Sequence, residues 1–192
     1  MIVYLHGFRS SPQSSKAQRL KARMAALGLG DLFWCGQLPP SPRAAIALAE
    51  RQIAAARAAG APVTVVGSSL GGYYATHLTE KHRLKAVLVN PAVVAHLSLA
   101  GFVGPQTNLY SGETFDFKPD YIEELRALEV PRISRPQDFL LLAETGDEVL
   151  DYRQAVAKYS GARQIVLEGG DHSFTRWDDY LDTVLEFAGV LP

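Results

Sequence analysis

Residues 62–71 read PVTVVGSSLG, and this stretch decides the prediction of the fold. Residues 62–66 are apolar and mostly β-branched, which is typical of a strand buried on both faces of a parallel sheet. Residues 67–71 match G-x-S-x-G, the pattern in which a strand turns sharply into a helix and presents the central serine at the turn. The pattern therefore predicts that Ser69 is a catalytic nucleophile. The alternative is a serine that only caps the helix predicted over residues 69–81.

Short apolar runs alternate with longer amphipathic segments on both sides of this stretch. Such alternation predicts parallel strands joined by right-handed helical crossovers. Six strands are predicted, at residues 2–5, 32–35, 62–66, 84–89, 139–143 and 164–167. Helices are predicted near residues 14–28, 44–59, 69–81, 149–159 and 174–188, with Ser41 and Pro42 as an expected helix start. The fold class is therefore α/β, a doubly wound and mostly parallel six-stranded sheet, in one domain over residues 1–192.

Residues 95–135 interrupt this alternation. The segment contains turn-forming Gly, Pro and Asn, several aromatic residues and a helix-like stretch over residues 119–128, but no clear strand. Long excursions between two strands are often functional, so we interpret the segment as a helical and loop insertion that forms a lid over a pocket. The alternative is a helical excursion that packs on the core of its own domain.

The composition excludes several classes of function. The chain has 192 residues and a formal net charge of −1, and its basic residues form no stripe of the kind that a nucleic-acid binder shows. Cys35 is the only cysteine, so neither a disulfide nor a cysteine zinc site is expected, and no metal or organic cofactor is predicted. No apolar run approaches 18 residues, so no membrane span is expected. We therefore expect a cytoplasmic protein that acts on a small molecule.

Two further strands lead into candidates for the acid and the base. In hydrolases with this serine motif the order along the chain is serine, then aspartate or glutamate, then histidine. The strand at 139–143 runs into Asp147, which we predict as the acid, with Glu144 and Glu148 as rivals and a helix-capping role as the alternative. The strand at 164–167 runs into His172, which we predict as the base. An ordinary surface histidine is the alternative for His172.

An acyl-transfer site also needs two N–H groups that stabilise the oxyanion of the tetrahedral intermediate. The first is the backbone N–H of Leu70, at the start of the helix that follows the nucleophile. The second is expected from the loop after the first strand, and we predict the backbone N–H of Phe8, with Arg9 as the alternative donor. His6 in the same loop is interpreted as a brace rather than as a catalytic residue.

With these residues placed, the chain resembles the YqiA-like esterases, small bacterial α/β-hydrolases. The matching stretches are HGFRSSP (6–12), QLPPSP (37–42), VGSSLGGYYAT (66–76), VNPAV (89–93), TGDEVLDYRQAVAKY (145–159) and EGGDHSF (168–174). The resemblance implies a shortened α/β-hydrolase sheet that begins at the strand before the oxyanion loop, with strand order 2-1-3-4-5-6. It also implies Ser69, Asp147 and His172 at the triad positions. The family often has asparagine at the position of Arg9, and residues 94–136 match least well.

The resemblance implies an esterase or thioesterase that cleaves small acyl esters or acyl thioesters through an acyl-enzyme. One alternative is a hydrolase-fold protein that binds a ligand without catalysis, because a fold alone does not establish activity. Another is an acyltransferase or perhydrolase that uses the same triad. Oligomeric state and acyl-chain preference are not predicted by any motif of the sequence.

Overall fold

The structure is a computed structural model, and it describes residues 1–191. Its strands are β1 (Ile2–Leu5), β2 (Phe33–Trp34), β3 (Thr64–Ser68), β4 (Lys85–Val89), β5 (Gly104–Thr107), β6 (Thr114–Phe117), β7 (Phe139–Glu144) and β8 (Arg163–Leu167). Its helices are α1 (Ser15–Ala26), α2 (Pro42–Ala58), α3 (Leu70–His82), α4 (Ala95–Ser98), α5 (Asp120–Ala127), α6 (Tyr152–Lys158) and α7 (Leu181–Phe187). Short 3-10 helices cover Gly30–Leu32, Ala100–Phe102, Pro136–Asp138 and Trp177–Tyr180.

Six strands form one parallel sheet in the order β2-β1-β3-β4-β7-β8. This order is the predicted 2-1-3-4-5-6, and the predicted α/β class is confirmed. The central strands β3 and β7 are buried along their whole length, which agrees with the apolar runs VV at 65–66 and FLLLA at 139–143. The edge strand β8 is partly exposed. All six strands point their carboxyl ends toward one edge, where open α/β sheets bind ligands.

Helices cover both faces of the sheet. Successive residues of β1 point to opposite faces: Val3 and Leu5 join one buried cluster, and Ile2 and Tyr4 join the other. The first cluster is closed by α2, α3, α5 and α6, and the second by α1 and α7. The start of α2 is the predicted one, because Pro42 is its first residue and the Ser41 hydroxyl accepts the Ala44 N–H. The sheet is therefore doubly wound.

The segment over residues 95–135 contains a β-hairpin, so the expectation that it holds no clear strand is wrong. Strands β5 and β6 pair antiparallel, with Gly104 opposite Phe117 and Thr107 opposite Thr114. The sequence of β5, GPQT, lacks the alternation of apolar and polar residues that marks a half-buried strand. The predicted helix over 119–128 is observed as α5. Whether this segment opens as a lid, and whether residues 1–192 act as one domain, remain predictions.

The hairpin is attached to the loop that follows β1. The Leu109 N–H donates to the Arg9 carbonyl at 2.8 Å, and the Asn108 side-chain amide donates to the Ser10 carbonyl at 2.8 Å. The Arg9 Nε donates in return to the Thr107 carbonyl at 3.0 Å. The ring of Phe8 contacts three aromatic rings of the same segment, those of Phe102, Phe115 and Phe117, with centroids 5.0 to 6.0 Å apart. These contacts hold the hairpin over the carboxyl edge of the sheet.

Within residues 1–191, no helix combines the length and the apolar character that crossing a bilayer requires.

Candidate active site

Ser69 lies at a sharp turn between β3 and α3. Its backbone has φ 56° and ψ −121°, a region that residues other than glycine rarely adopt and that stores strain. Gly71 makes the turn possible, because a Cβ at this position would overlap the Leu5 carbonyl. The turn is held by two hydrogen bonds, from the Ser69 N–H to the Val89 carbonyl and from the Ala92 N–H to the Ser69 carbonyl, both 3.1 Å long. The serine side chain is thereby presented at the edge of the sheet.

Ser69, His172 and Asp147 form a continuous chain of hydrogen bonds, although 103 residues separate the serine from the histidine. The Nε2 of His172 is 3.0 Å from the Ser69 Oγ. Its Nδ1 is 3.0 and 2.9 Å from the two carboxylate oxygens of Asp147. The Asp147 side chain is only 2% exposed, whereas the His172 ring is 23% exposed. The buried carboxylate assigns the proton to Nδ1, and Nε2 is then free to accept the serine proton.

Asp147 is itself held by the turn after β7. Its Oδ1 accepts the N–H groups of Val149 and Leu150 at 2.9 and 2.8 Å. The helix predicted over 149–159 begins three residues later than expected, as α6, and its N-cap is Asp151, whose carboxylate accepts the Arg153 N–H. Asp147 therefore does not cap that helix, and its carboxylate is fixed toward His172.

The rival acid Glu144 has a different position. Its carboxylate is fully buried at the end of β7 and accepts the backbone N–H groups of Asp171 at 2.9 Å and Thr175 at 3.0 Å. It also forms an ion pair with the Arg176 guanidinium at 3.0 Å. Burial opposes its ionisation, but these hydrogen bonds outweigh burial, so the pKa of Glu144 lies below its ordinary value. Glu144 thus holds the loop that carries His172 without contacting the imidazole.

Glu148, the second rival, contacts the backbone of His172 instead of its ring. Its Oε2 accepts the His172 N–H at 3.0 Å. The three carboxylates lie within five residues of the sequence, but they make different contacts. Asp147 orients the His172 ring, and Glu144 and Glu148 hold the loop that carries it.

Asn90 is a further positioning residue that the sequence interpretation missed. Its side-chain amide donates to the carbonyls of Asp171 and His172 at 3.0 and 3.2 Å, and its Oδ1 accepts the Glu144 N–H at 3.0 Å. Its backbone has φ 41°, a conformation that asparagine tolerates better than most residues. The signal in the sequence is an asparagine directly after a buried strand and before Pro91. Asn90 thereby ties the end of β4 to the histidine loop.

The loop after β1 lies against Ser69. A Cβ built on Gly7 would lie 3.3 Å from the Ser69 Cβ and 3.7 Å from its Oγ. Within residues 1–191, the backbone N–H groups of Phe8 and Leu70 have no hydrogen-bond acceptor, so both are available to an oxyanion. Arg9, the alternative donor, has φ 57°, a left-handed conformation that residues other than glycine adopt uncommonly.

His6 stabilises this loop through two hydrogen bonds of its ring. Its Nε2 accepts the Leu38 N–H at 3.0 Å, and its Nδ1 lies 3.0 Å from the Gly7 carbonyl, to which it donates. The ring is buried, and burial lowers the pKa of His6 although the Gly7 carbonyl opposes that shift. A neutral histidine satisfies both hydrogen bonds, which agrees with a structural role.

Two cavities meet at the loop after β1. The first, of about 250 Å³, is lined mainly by apolar side chains that include Phe8, Leu38, Leu70 and Phe115. The second, of about 380 Å³, contains Ser69 and His172 and is lined on the opposite side by the start of α1. Within the described part of the chain, no group of three or more His, Cys, Asp and Glu side chains is placed to hold a metal ion.

Comparisons with known proteins agree with this architecture. The model of the Uncharacterised protein family (UPF0227) matches residues 1–189. Similar solved structures include a monoacylglycerol lipase of Paleococcus ferrophilus, with TM-score 0.69, 15% identity and coverage of 99% of this chain and 94% of the lipase. A provisionally assigned hydrolase of Agrobacterium vitis S4 has TM-score 0.72, 19% identity and coverage of 97% and 87%.

Est1E of Butyrivibrio proteoclasticus aligns with TM-score 0.66 and 14% identity over 97% of this chain and 85% of Est1E. At such identities the likeness establishes the α/β-hydrolase fold and leaves the chemistry to be argued from the site.

Proposed function

The chain belongs to the family UPF0227, the YqiA family, and on this basis we propose that it is a serine hydrolase that cleaves carboxylic esters or thioesters. The observation that carries the proposal is the hydrogen-bonded chain from the Ser69 Oγ through His172 to the Asp147 carboxylate. These three groups are the nucleophile, base and orienting acid of acyl transfer, in the order that this fold requires.

In the first half of the reaction the Ser69 Oγ attacks the carbonyl carbon of the substrate while the His172 Nε2 takes its proton. Asp147 holds the ring and stabilises the imidazolium that forms. The carbonyl oxygen acquires negative charge between the N–H groups of Phe8 and Leu70, and the start of α3 adds its dipole. His172 then gives its proton to the leaving alcohol or thiol, and the acyl group remains on Ser69.

In the second half a water molecule attacks the acyl-enzyme. His172 takes a proton from that water, the same two N–H groups stabilise the second oxyanion, and the proton returns to the Ser69 Oγ as the acid leaves. The apolar cavity lined by Phe8, Leu38, Leu70 and Phe115 supplies a site for the acyl chain.

The test is hydrolysis of matched acyl 4-nitrophenyl esters and acyl thioesters by the wild-type protein and by Ser69→Ala. We expect hydrolysis by the wild type and a kcat lowered by about 10⁴ to 10⁶ in the variant, because the triad acts as a unit. The ratio of ester to thioester rates assigns the leaving-group class. Residual activity above about a tenth of wild type would reject Ser69 as the nucleophile.

A further inference from the structure

The cavity that contains Ser69 and His172 is closed on the other side by the start of α1. Ser14 is the N-cap of this 12-residue helix, but its hydroxyl makes no capping hydrogen bond. The residue is only 7% exposed, lines the cavity, and its Oγ has no hydrogen-bond partner within residues 1–191. An unpartnered buried hydroxyl is costly, so a group that fills the cavity and accepts its hydrogen bond stabilises the site.

The same wall carries a positive charge. Lys16 lines the cavity, and its Nζ donates to the Ser173 carbonyl at 2.6 Å, but no carboxylate within residues 1–191 forms an ion pair with it. Arg19 also lines the cavity, and its charge is balanced by an ion pair with Asp178. The first turn of α1 adds its positive helix dipole. Lys16 therefore brings to the cavity a positive charge that has no direct ion-pair partner within residues 1–191, although the carboxylates of Asp171, Glu144 and Asp147 lie close enough to act on it.

The position of His172 decides which part of a substrate occupies this cavity. In the proposed reaction the leaving group lies within reach of the His172 Nε2, and His172 is one of the residues that line this cavity. The apolar cavity beyond Phe8 and Leu70 remains for the acyl chain. The two halves of the substrate are thus assigned to two cavities, and the one assigned to the acyl chain also has Arg9 and Glu113 in its wall.

We propose that this cavity recognises a carboxylate on the leaving group. The substrate is then an acyl ester formed on the hydroxyl of a hydroxy acid, or an acyl thioester formed on the thiol of a mercapto acid. This inference rests on the proposed hydrolase function. The carboxylate accepts hydrogen bonds from the Ser14 hydroxyl and the Lys16 ammonium and lies at the start of α1. A singly charged carboxylate matches the one lysine of the cavity that lacks a direct ion pair better than a doubly charged phosphate does, because the nearby carboxylates of Asp171, Glu144 and Asp147 repel a second negative charge more strongly. Water supplies the hydroxyl of the carboxylic acid released from the acyl half and the proton on the hydroxyl or thiol of the leaving group.

The test compares two esters that differ only in one remote charge, 4-(carboxymethyl)phenyl butyrate and its primary amide. The methylene group insulates the phenol, so the two leaving groups are matched in intrinsic reactivity. We expect the wild type to cleave the carboxylate with a kcat/KM about tenfold higher, the effect of one hydrogen bond to a charged group. Lys16→Gln should bring this ratio close to one, and Ser14→Ala should lower it by about threefold.

Matched controls separate charge recognition from a structural role of Lys16. Lys16→Arg should keep the ratio, and Lys21→Gln, an exposed lysine of the same helix that does not line the cavity, should leave it unchanged. If Lys16 only holds the Ser173 carbonyl, Lys16→Gln slows both esters equally and the ratio stays at its wild-type value, which would overturn the proposal. A 4-(phosphonomethyl)phenyl ester cleaved faster than the carboxylate would overturn the choice of carboxylate.

A third ester tests whether the enzyme recognises a charge on the acyl side of the substrate instead. Phenyl hemisuccinate, with its carboxylate on the acyl chain, should be cleaved no faster than phenyl butyrate, and a preference for it would overturn the assignment of the cavities. Cleavage of the amide ester at the same rate as the carboxylate would reject only the carboxylate site. Cleavage of none of these esters by the wild type would reject the proposed hydrolase function and, with it, this inference.

Discussion

The carboxylate of Glu144 accepts the backbone N–H of Asp171 at 2.9 Å, and Asp171 is the residue directly before His172. Glu144 is the last residue of β7, and Asp171 lies in the loop after the neighbouring strand β8. Because the carboxylate also accepts the Thr175 N–H and pairs with Arg176, it holds both ends of the segment that carries the histidine. A buried charge at the end of a strand thus fixes the position of a ring that it does not touch.

Glu144→Gln should therefore lower the free energy of unfolding by about 2 kcal/mol, because it removes the charge that these donors share. Urea denaturation followed by tryptophan fluorescence measures this change. Glu148→Gln is the matched control, since Glu148 is exposed and makes one backbone contact to the same loop. A loss of stability in the control equal to that in Glu144→Gln would mean that burial of Glu144 is not the source of the effect.

Asp147→Asn should lower kcat by about 10⁴ with little change in stability, because an amide at this position favours the wrong histidine tautomer. Steady-state hydrolysis of a 4-nitrophenyl ester measures it. Glu148→Gln should lower kcat by less than about tenfold, since its carboxylate contacts only the His172 backbone. The opposite order of the two variants would assign the acid to Glu148.

The preference for a carboxylate on the leaving group should depend on pH through Lys16. Burial lowers the pKa of Lys16 to about 8, although the carboxylates of Asp171, Glu144 and Asp147 oppose that shift. The cavity also contains the Arg19–Asp178 ion pair, His172 and the phenols of Tyr4 and Tyr110. The ammonium is charged below this pKa and neutral above it.

The ratio of kcat/KM for the carboxylate ester to that for its amide should consequently be highest below pH 8 and fall toward one as the pH rises above that value. Lys16→Arg should keep the ratio high up to about pH 9.5, because a guanidinium stays charged there. A wild-type ratio that is constant across this range would contradict the role assigned to Lys16.

The sheet could be predicted from the sequence because each of its strands is a short apolar run between helical segments. The order of the strands was predicted from the family resemblance, and the structure reproduces it. The hairpin of β5 and β6 could not be predicted, because both strands are only four residues long and β5, GPQT, lacks apolar alternation. Their pairing is supported by aromatic contacts with Phe8 and by hydrogen bonds with the loop after β1, which no local pattern indicates.

The sequence identifies some residues of the candidate site more clearly than others. Ser69 and His172 each follow a predicted strand with no rival residue of the same type at the expected position, so the sequence alone identifies them. Glu144, Asp147 and Glu148 follow one strand within five residues, and only the turn at Gly146 decides which carboxylate points to the imidazole. Lys16 is one of several basic residues on an amphipathic helix, and its relation to His172 arises only when α1 packs beside the loop after β8.

The central claim is that Ser69 is an activated nucleophile, and the most direct measurement is labelling of the intact protein with a fluorophosphonate followed by mass spectrometry. A serine held 3.0 Å from the His172 Nε2 should give a single adduct in the wild type and none in Ser69→Ala. An equal adduct on both proteins, or no adduct on a folded wild type under conditions that label a known serine hydrolase, would contradict the account.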